Sequence, residues 1–309
     1  MEVGEEFGPV DGALSELKLK AHAFVVDDYG PWYFQASPFG GRIGHPTLLA
    51  TDILMLFTLK YDANPPGFPG GLHARNELEF VRPMFIGQHV TIMGTTTEKY
   101  QKRAQNYRVL AGDVRDEAGQ VCLRMRATET VGMGGDIPVG KGTSAAPADR
   151  VTGEIPPGAP TAVQASRTVP VGAALPPLTK RTSLEQSVVY SGFPHGWAES
   201  GARSMWVNIH TDPEEGRRHG QPDAVVQGLC SAAYISEVCV GFFGATWFTT
   251  GRLSTAFIRP VIVRDEITAS GLVKRAEMEN GRQRLWLDVW CKNQRGELVT
   301  VGRASALID

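Results

Sequence analysis

His210 is the residue whose type and surroundings best fit acid–base chemistry in this sequence. It lies between Asn208 and Asp212, and a histidine titrates near neutral pH, so it can carry a proton in either direction. Downstream, Gly228 opens a long apolar segment, and a glycine at a helix start lets backbone N–H groups approach an oxygen that gains negative charge. A base and an oxyanion donor together indicate acyl chemistry. The alternative is that His210 only helps to cap a turn.

Composition and charge exclude several classes of protein. The chain has 309 residues, 42% hydrophobic and 21% charged, which is enough for one large domain or two ordinary ones. The formal net charge is -2 and no Lys/Arg cluster alternates with aromatic residues, so we expect no nucleic-acid partner. The acidic N-terminus lacks the pattern of a secretory signal, which predicts a cytoplasmic protein. The 4 cysteines are scattered and are expected to be reduced core residues.

The most apolar segment, residues 225–248, raises the question of a membrane span. Polar side chains interrupt it at Gln227, Ser231, Ser236 and Glu237, and small residues supply much of its bulk. We therefore expect a buried core helix and no membrane partner.

Hydrophobic periodicity predicts the order of elements in the first half. Residues 12–27 alternate as a half-buried strand does, and a loop rich in aromatic residues, Gly and Pro follows. A central helix is expected from His45-Pro46 to about Tyr61. Four strands are predicted after it, near residues 72–82, 88–98, 105–115 and 120–132.

The second half of the chain repeats the first. Phe80-Val81-Arg82-Pro83 recurs 177 positions later as Phe257-Ile258-Arg259-Pro260, and Gly94, Gly119 and Arg126-Ala127 recur at the same offset. The central helices also correspond, with Ile43-Gly44-His45-Pro46-Thr47 aligned with Val225-Val226-Gln227-Gly228-Leu229. Between the copies, residues 133–176 are rich in Gly, Pro, Ala, Ser and Thr, which predicts a linker. The expected domains are residues 1–132, a linker at 133–176, and residues 177–309.

A tandem duplication of this unit predicts an α+β fold. Each copy would wrap one antiparallel sheet around a central helix, leaving an open face and unpaired edges. Two copies that pair into a continuous sheet would bury an edge of each. We therefore expect a pseudo-dimer within one chain.

The repeated unit resembles the MaoC-like hydratases and dehydratases, a branch of the hot-dog fold that includes double-hot-dog chains. The family motif has the form S-G-D-x-N-P-(L/I/V)-H, followed by a helix that starts near Q-G. Here the second copy has Arg203-Ser204-Met205-Trp206-Val207-Asn208-Ile209-His210, then Gln227-Gly228. The histidine, the aliphatic residue before it and the Q-G pair match. Met205 stands where the motif has its catalytic aspartate.

The first copy departs from the motif in the opposite way. Asp28-Tyr29-Gly30-Pro31-Trp32-Tyr33 keeps the Asp and the Pro but has Tyr33 at the histidine position. In one interpretation Asp28 and His210 lie at separate sites and the first site is degenerate, and this is the interpretation we favour. In the other, Asp28 or Tyr33 meets His210 across the pseudo-dimer to form a composite site.

The resemblance implies that His210 is the general acid or base and that Gly228 supplies the oxyanion donor. Asp212 and Glu199 are candidates to replace the missing carboxylate, although Asp212 before Pro213 is also well placed to cap a short helix. Asn208 could instead position a water molecule through its amide.

Further residues are candidates for substrate binding. Gln227, Tyr33 and Trp206 are expected near the substrate, although aromatic residues in loops also plug the ends of a sheet. Arg259, like Arg82, could bind an anion or could simply tie strand ends together. No His, Cys or carboxylate spacing fits a metal site, so neither a metal nor another cofactor is expected.

These inferences predict a lyase that adds water to, or removes it from, an acyl thioester carried by coenzyme A or an acyl carrier protein. The alternatives are a hot-dog thioesterase and a non-catalytic subunit that binds acyl thioesters. Unmatched sheet edges also predict self-association into a homo-oligomer.

Overall fold

The computed structural model describes residues 1–61, 71–130, 150–192 and 207–308. The first copy begins with strand β1 (Glu6–Ala13), helix α1 (Glu16–Val26) and the short helix α2 (Pro31–Phe34). Helix α3 (Ala50–Met55) continues as a 3-10 turn, Leu56–Leu59. Four strands complete the copy: β2 (Leu72–Phe80), β3 (His89–Lys102), β4 (Gln105–Asp116) and β5 (Val121–Thr130).

The second copy follows the same general order, with additional short elements. Strand β6 (Leu178–Arg181) and helix α4 (Leu184–Gly192) precede helix α5 (Pro213–Arg218), strand β7 (Val225–Val226) and the long helix α6 (Gly228–Phe243). A 3-10 turn (Gly244–Thr246) leads to helix α7 (Trp247–Thr250) and strands β8 (Arg252–Phe257) and β9 (Val261–Ile262). The copy ends with β10 (Glu266–Glu279), β11 (Arg282–Asn293) and β12 (Leu298–Ile308).

The described strands form one antiparallel ten-stranded sheet with the order β1-β3-β4-β5-β2-β8-β12-β11-β10-β6, and β7 pairs separately with β9. The two halves join at β2 and β8, where Glu77 faces Ser254. These residues are 177 positions apart, so equivalent positions of the two copies meet at the junction. The halves are therefore related by a pseudo-twofold axis, and the expected α+β pseudo-dimer with a continuous sheet is confirmed.

The duplication inferred from sequence is also confirmed strand by strand. Both ends of β10 lie 177 positions after those of β3, and both ends of β11 lie 177 positions after those of β4. The four strands predicted in the first copy appear as β2 to β5. Their alternation of buried and exposed residues arises because successive side chains in a strand point to opposite faces.

Helix α6 lies in the core of the second copy. Most of its side chains are buried, including Leu229, Ile235 and Phe242. The helical stretch Gly228–Thr250 has the length and mean hydropathy (1.4) of a membrane span, but 67% of that window is buried inside the molecule. The prediction of a core helix in this segment is confirmed. All 4 cysteines are free and buried, as expected.

The prediction of a strand over residues 12–27 was wrong. Strand β1 ends at Ala13, and helix α1 begins after Ser15, whose side chain accepts a hydrogen bond from the Lys18 N–H. The alternating apolar pattern counted Leu17 as a buried strand residue, but Leu17 is 63% exposed. The buried side chains are instead Leu19, His22 and Val26, which lie on one face of a helix. The first copy's central helix is also shorter than predicted.

The segment before β6 is packed against the second copy along its described part. The Leu175 N–H donates to the Gly271 carbonyl (2.9 Å), and the Val273 N–H donates to the Ala173 carbonyl (2.8 Å). Ala173 and Leu175 are buried. Residues 172–175 thus lie along β10, while the exact limits of the expected domains stay a prediction.

Candidate active site

The loop that carries His210 is a compact turn built around Asn208. The side-chain oxygen of Asn208 accepts the His210 N–H (2.7 Å), and its carbonyl accepts the N–H groups of Thr211 and Asp212 (3.0 Å each). Asp212 is the N-cap of α5, since its carboxylate accepts the Glu214 N–H at 2.8 Å and Pro213 occupies the first helical position. In the loop, Asn208 and Asp212 therefore have structural contacts of their own.

The His210 ring is fixed by a backbone carbonyl. Its Nδ1 lies 2.6 Å from the Val225 oxygen, and the Val225 N–H donates to the Ile209 carbonyl at 2.8 Å. Because a carbonyl only accepts, Nδ1 carries the hydrogen and Nε2 of the neutral ring keeps its lone pair. Burial lowers the pKa of His210 below its usual 6.5, and the bond to Val225 partly opposes this. The ring is thus held as a neutral base.

The start of α6 follows Val225 closely. Gly228 is its first residue and Gln227 its N-cap, and no side chain caps the helix. Within the described part of the chain, the N–H groups of Gly228 and Leu229 have no hydrogen-bond acceptor. A Cβ on Gly228 would come within 2.9 Å of the Phe257 ring, so glycine permits this close packing. The helix start therefore offers two free N–H donors at its positive end.

The equivalent position in the first copy lacks such a donor. Pro46 aligns with Gly228, and proline has no backbone N–H. The bridge between Ile43 and Phe85 corresponds to the pairing of β7 with β9, which supports the alignment. The first copy thus cannot present an oxyanion donor at this place.

Asp28 contacts His45, a residue that no sequence motif marks as a candidate for chemistry. Asp28 Oδ2 lies 2.9 Å from His45 Nε2, and both side chains are buried. The Thr47 N–H donates to His45 Nδ1 (3.2 Å), so the ring hydrogen is on Nε2 and faces the carboxylate. Burial acts to raise the pKa of Asp28, but His45 and the Gly30 N–H lower it below its usual value. Both nitrogens of His45 therefore lie within contact distance of a polar group.

Tyr33 belongs to this first-copy cluster. Its ring centroid lies 5.3 Å from that of His45. Burial and the charges of Asp28 and Glu237 raise the pKa of Tyr33 well above its usual value. In the described residues no hydrogen bond or ion pair joins Asp28 or Tyr33 to His210, so the contacts favour two separate sites over a composite one.

The remaining candidates are placed as follows. Gln227 donates through Nε2 to the Ser191 hydroxyl at 2.8 Å. Arg259 is exposed and donates through Nη1 to the Leu298 carbonyl (2.8 Å), which ties the β8 end to β12. Trp206, like Glu199 and Met205, lies outside the described residues. Within the described ranges no cluster of three His, Cys, Asp or Glu residues could hold a metal ion.

Comparison with known proteins gives matches in structure only. No protein-family model matches the sequence, and no curated protein matches it. A solved MaoC-like dehydratase has a TM-score of 0.73 at 17% identity, with 99% of this chain and 98% of that chain covered. A Mycobacterium tuberculosis protein described as having a double hotdog fold has a TM-score of 0.63 at 15% identity, covering 99% and 96%.

A third match carries a different functional name. A putative oleoyl thioesterase from Lactobacillus plantarum has a TM-score of 0.55 at 10% identity, with 99% of this chain and 98% of that chain covered. At such low sequence identities, structural similarity establishes only the fold of this chain. The reaction must be inferred from the residues of the candidate site. The chain thus has the double hot-dog fold, in the arrangement found in MaoC-like dehydratases.

Proposed function

We propose that the protein is a hydro-lyase that interconverts an enoyl thioester and its 3-hydroxyacyl form. The observation that carries the proposal is the contact between His210 Nδ1 and the Val225 carbonyl (2.6 Å), because it leaves Nε2 as a base on a ring that is bonded to the chain three residues before Gly228, the first residue of α6. The likeness to MaoC-like dehydratases supports an acyl thioester as the substrate class. Coenzyme A is the carrier we favour.

In the hydration direction, a water oxygen would bond to C3 of the enoyl group while His210 Nε2 takes one of its protons. The electrons of the double bond would move onto the thioester oxygen, which the Gly228 N–H would stabilise. The imidazolium would then return its proton to C2. Dehydration is the same sequence in reverse. A single histidine can serve both steps because its neutral ring accepts a proton in the first step and the imidazolium donates it in the second.

One site per chain is part of the proposal. The first copy has Pro46 in place of the glycine, and in His45 Nδ1 accepts the Thr47 N–H while Nε2 faces Asp28 at 2.9 Å. Asp28, which matches the motif's carboxylate, is paired to that histidine. These contacts fit a structural first copy and a catalytic second copy. We further propose a cytoplasmic homo-oligomer.

The test is loss of enoyl-thioester absorbance on a panel of enoyl-CoA substrates. His210→Ala should lower kcat by about 10²–10⁴-fold, the usual contribution of a general base. His219→Ala is the matched control. The Nδ1 atom of His219 also lies at hydrogen-bond distance from a backbone carbonyl, that of Glu215 (2.8 Å), but His219 is exposed at the end of α5. Equal activity of the two variants would remove His210 from the mechanism.

A second pair of variants tests the helix start. Gly228→Ala places a Cβ within 2.9 Å of the Phe257 ring, so either that ring or the backbone that carries the donor must shift, and we expect the backbone to move. We expect kcat to fall by about 10²–10³-fold, as on loss of an oxyanion donor. Gly241→Ala, in the same helix with open space around its Cβ position, should retain wild-type activity. If Gly228→Ala also retains it, the oxyanion assignment is wrong.

Thioester hydrolysis is the second candidate. It is favoured by the structural match to a putative thioesterase and would use the same helix start to hold the carbonyl oxygen. Release of free thiol from an acyl-CoA, without loss of a double bond, would identify it. Binding of acyl-CoA with neither reaction would identify a non-catalytic subunit.

A further inference from the structure

Helix α4 connects the two copies beside the proposed site. It begins with a reciprocal cap, in which the Gln186 N–H donates to the Ser183 hydroxyl (3.1 Å) and the Ser183 N–H donates to the Gln186 side chain (3.0 Å). Its side chains Ser187, Tyr190 and Ser191 are buried. Helix α4 packs against α1 of the first copy. Its position is therefore set by both halves of the molecule.

Two adjacent residues of α4 bond to different copies. Thr51, in α3 of the first copy, donates to the Tyr190 hydroxyl at 2.6 Å. Ser191 accepts the hydrogen bond from Gln227 Nε2 of the second copy at 2.8 Å. Ser191 is only 3% exposed, so water does not readily replace it as the acceptor. A continuous set of contacts thus runs from the first copy's helix to the residue before Gly228.

Gln227 controls the direction of the helix start. It is the N-cap of α6, with φ −60° and ψ 137°, and its carbonyl accepts the Cys230 N–H at 3.0 Å. The peptide that carries the Gly228 N–H is formed by the Gln227 carbonyl carbon. A side chain that fixes Gln227 therefore fixes the orientation of that N–H.

We propose that Ser191 is a positioning residue for the oxyanion donor, and that the first copy supports it through the bond between Thr51 and Tyr190. This inference rests on the proposed function for its catalytic consequence. It gives the degenerate first copy a definite role, which is to hold the start of α6 in the second copy. Ser191 itself need not touch the substrate.

The experiment compares Ser191→Ala with Ser187→Ala. Ser187 lies one turn earlier in the same helix, is equally buried at 2% exposure, and its hydroxyl has no hydrogen-bond partner among the described residues. Amide hydrogen exchange is followed by mass spectrometry in peptides covering Gln227 to Tyr234. Exchange there should be about 10-fold faster in Ser191→Ala and unchanged in Ser187→Ala, in line with the loss of one buried hydrogen bond. Equal exchange in the two variants overturns the inference.

Kinetics with enoyl-CoA give the second readout. Ser191→Ala should lower kcat by about 10-fold and leave KM within about twofold, because the donor acts mainly in the transition state. In a Gln227→Ala background the same substitution should have no further effect, since Ser191 acts through Gln227. Additive losses would overturn the inference. Absence of turnover in the wild-type protein would refute the proposed function, whereas hydrogen exchange still decides the role of Ser191.

Thr51→Val tests the contribution of the first copy. The substitution keeps the branched shape but removes the hydroxyl that donates to Tyr190. Exchange at the start of α6 should rise in the same peptides, by less than in Ser191→Ala. If the exchange rate in these peptides does not change, Thr51 does not help to hold the start of α6, and the role proposed for the first copy is refuted.

Discussion

The protonation state of His210 determines whether it can act as a base. Burial lowers its pKa below 6.5, with partial opposition from the Val225 carbonyl, so the neutral ring persists into mildly acidic solution. Protonation removes the lone pair on Nε2. The kcat/KM for hydration should therefore be level down to about pH 6.5 and fall below it. A pH–rate profile with an acid-limb pKa above 6.5 would argue against His210 as the base.

Single residues were predictable where a motif or a cap marked them. The capping role considered for Asp212 came from local sequence and is confirmed, whereas the roles of His210 and Gly228 also came from local sequence and stay predictions. The contact between Asp28 and His45 did not come from local sequence, because it joins two loops that only the fold brings together. The one available signal was the position of His45, aligned with Gln227 at the opening of the central helix. The bond between Ser191 and Gln227 has no local signal.

Helix α5 allows the two roles considered for Asp212 to be separated. Asp212→Ala removes the cap and should lower the free energy of unfolding by about 1 kcal/mol. Asp212→Ser should restore most of that stability because serine also caps helices. If Asp212 is only a cap, Asp212→Ser should have near wild-type kcat. Restored stability, measured by denaturant unfolding, together with lost kcat would instead assign a catalytic carboxylate.

Among the elements, the strands were easier to predict than the first helix. Two-residue alternation and turns bounded by glycine predicted β2 to β5. The sequence repeat then predicted the equivalent strands of the second copy. In α1 the same alternation concealed a helix, whose buried side packs on α4 from the other half of the chain. Such a tertiary contact overrides a short periodic pattern. The Ser15 cap was the local clue to a helix.

The junction between the halves predicts cooperative unfolding of the whole molecule. Leu253 and Leu78 face each other across β8 and β2, and both are buried. Leu253→Ala should lower the free energy of unfolding by about 2–5 kcal/mol through the cavity it leaves. Because the sheet and core are continuous, calorimetry should show one transition at a lower Tm. Two separate transitions would mean that the copies unfold independently.

The copies are also linked away from the junction. Lys180 of the second copy donates to the Asp27 carbonyl of the first and pairs with Glu237 of α6, with a nitrogen–oxygen distance of 3.0 Å. Burial and the Asp28 charge raise the pKa of Glu237 to about 7, against the lowering effect of Lys180. The first-copy loop with Asp28 thus packs on the core helix of the second copy.

The pairing of equivalent residues at Glu77 and Ser254 has an evolutionary consequence. Two identical chains could pair in the same register, and a single gene would then encode both sites. A mutation placing proline at the helix start would remove the N–H from both sites at once. Fusion into one chain uncouples the copies, so Pro46 could arise in one while Gly228 persisted in the other. The first copy could thus lose this N–H while the second copy kept it.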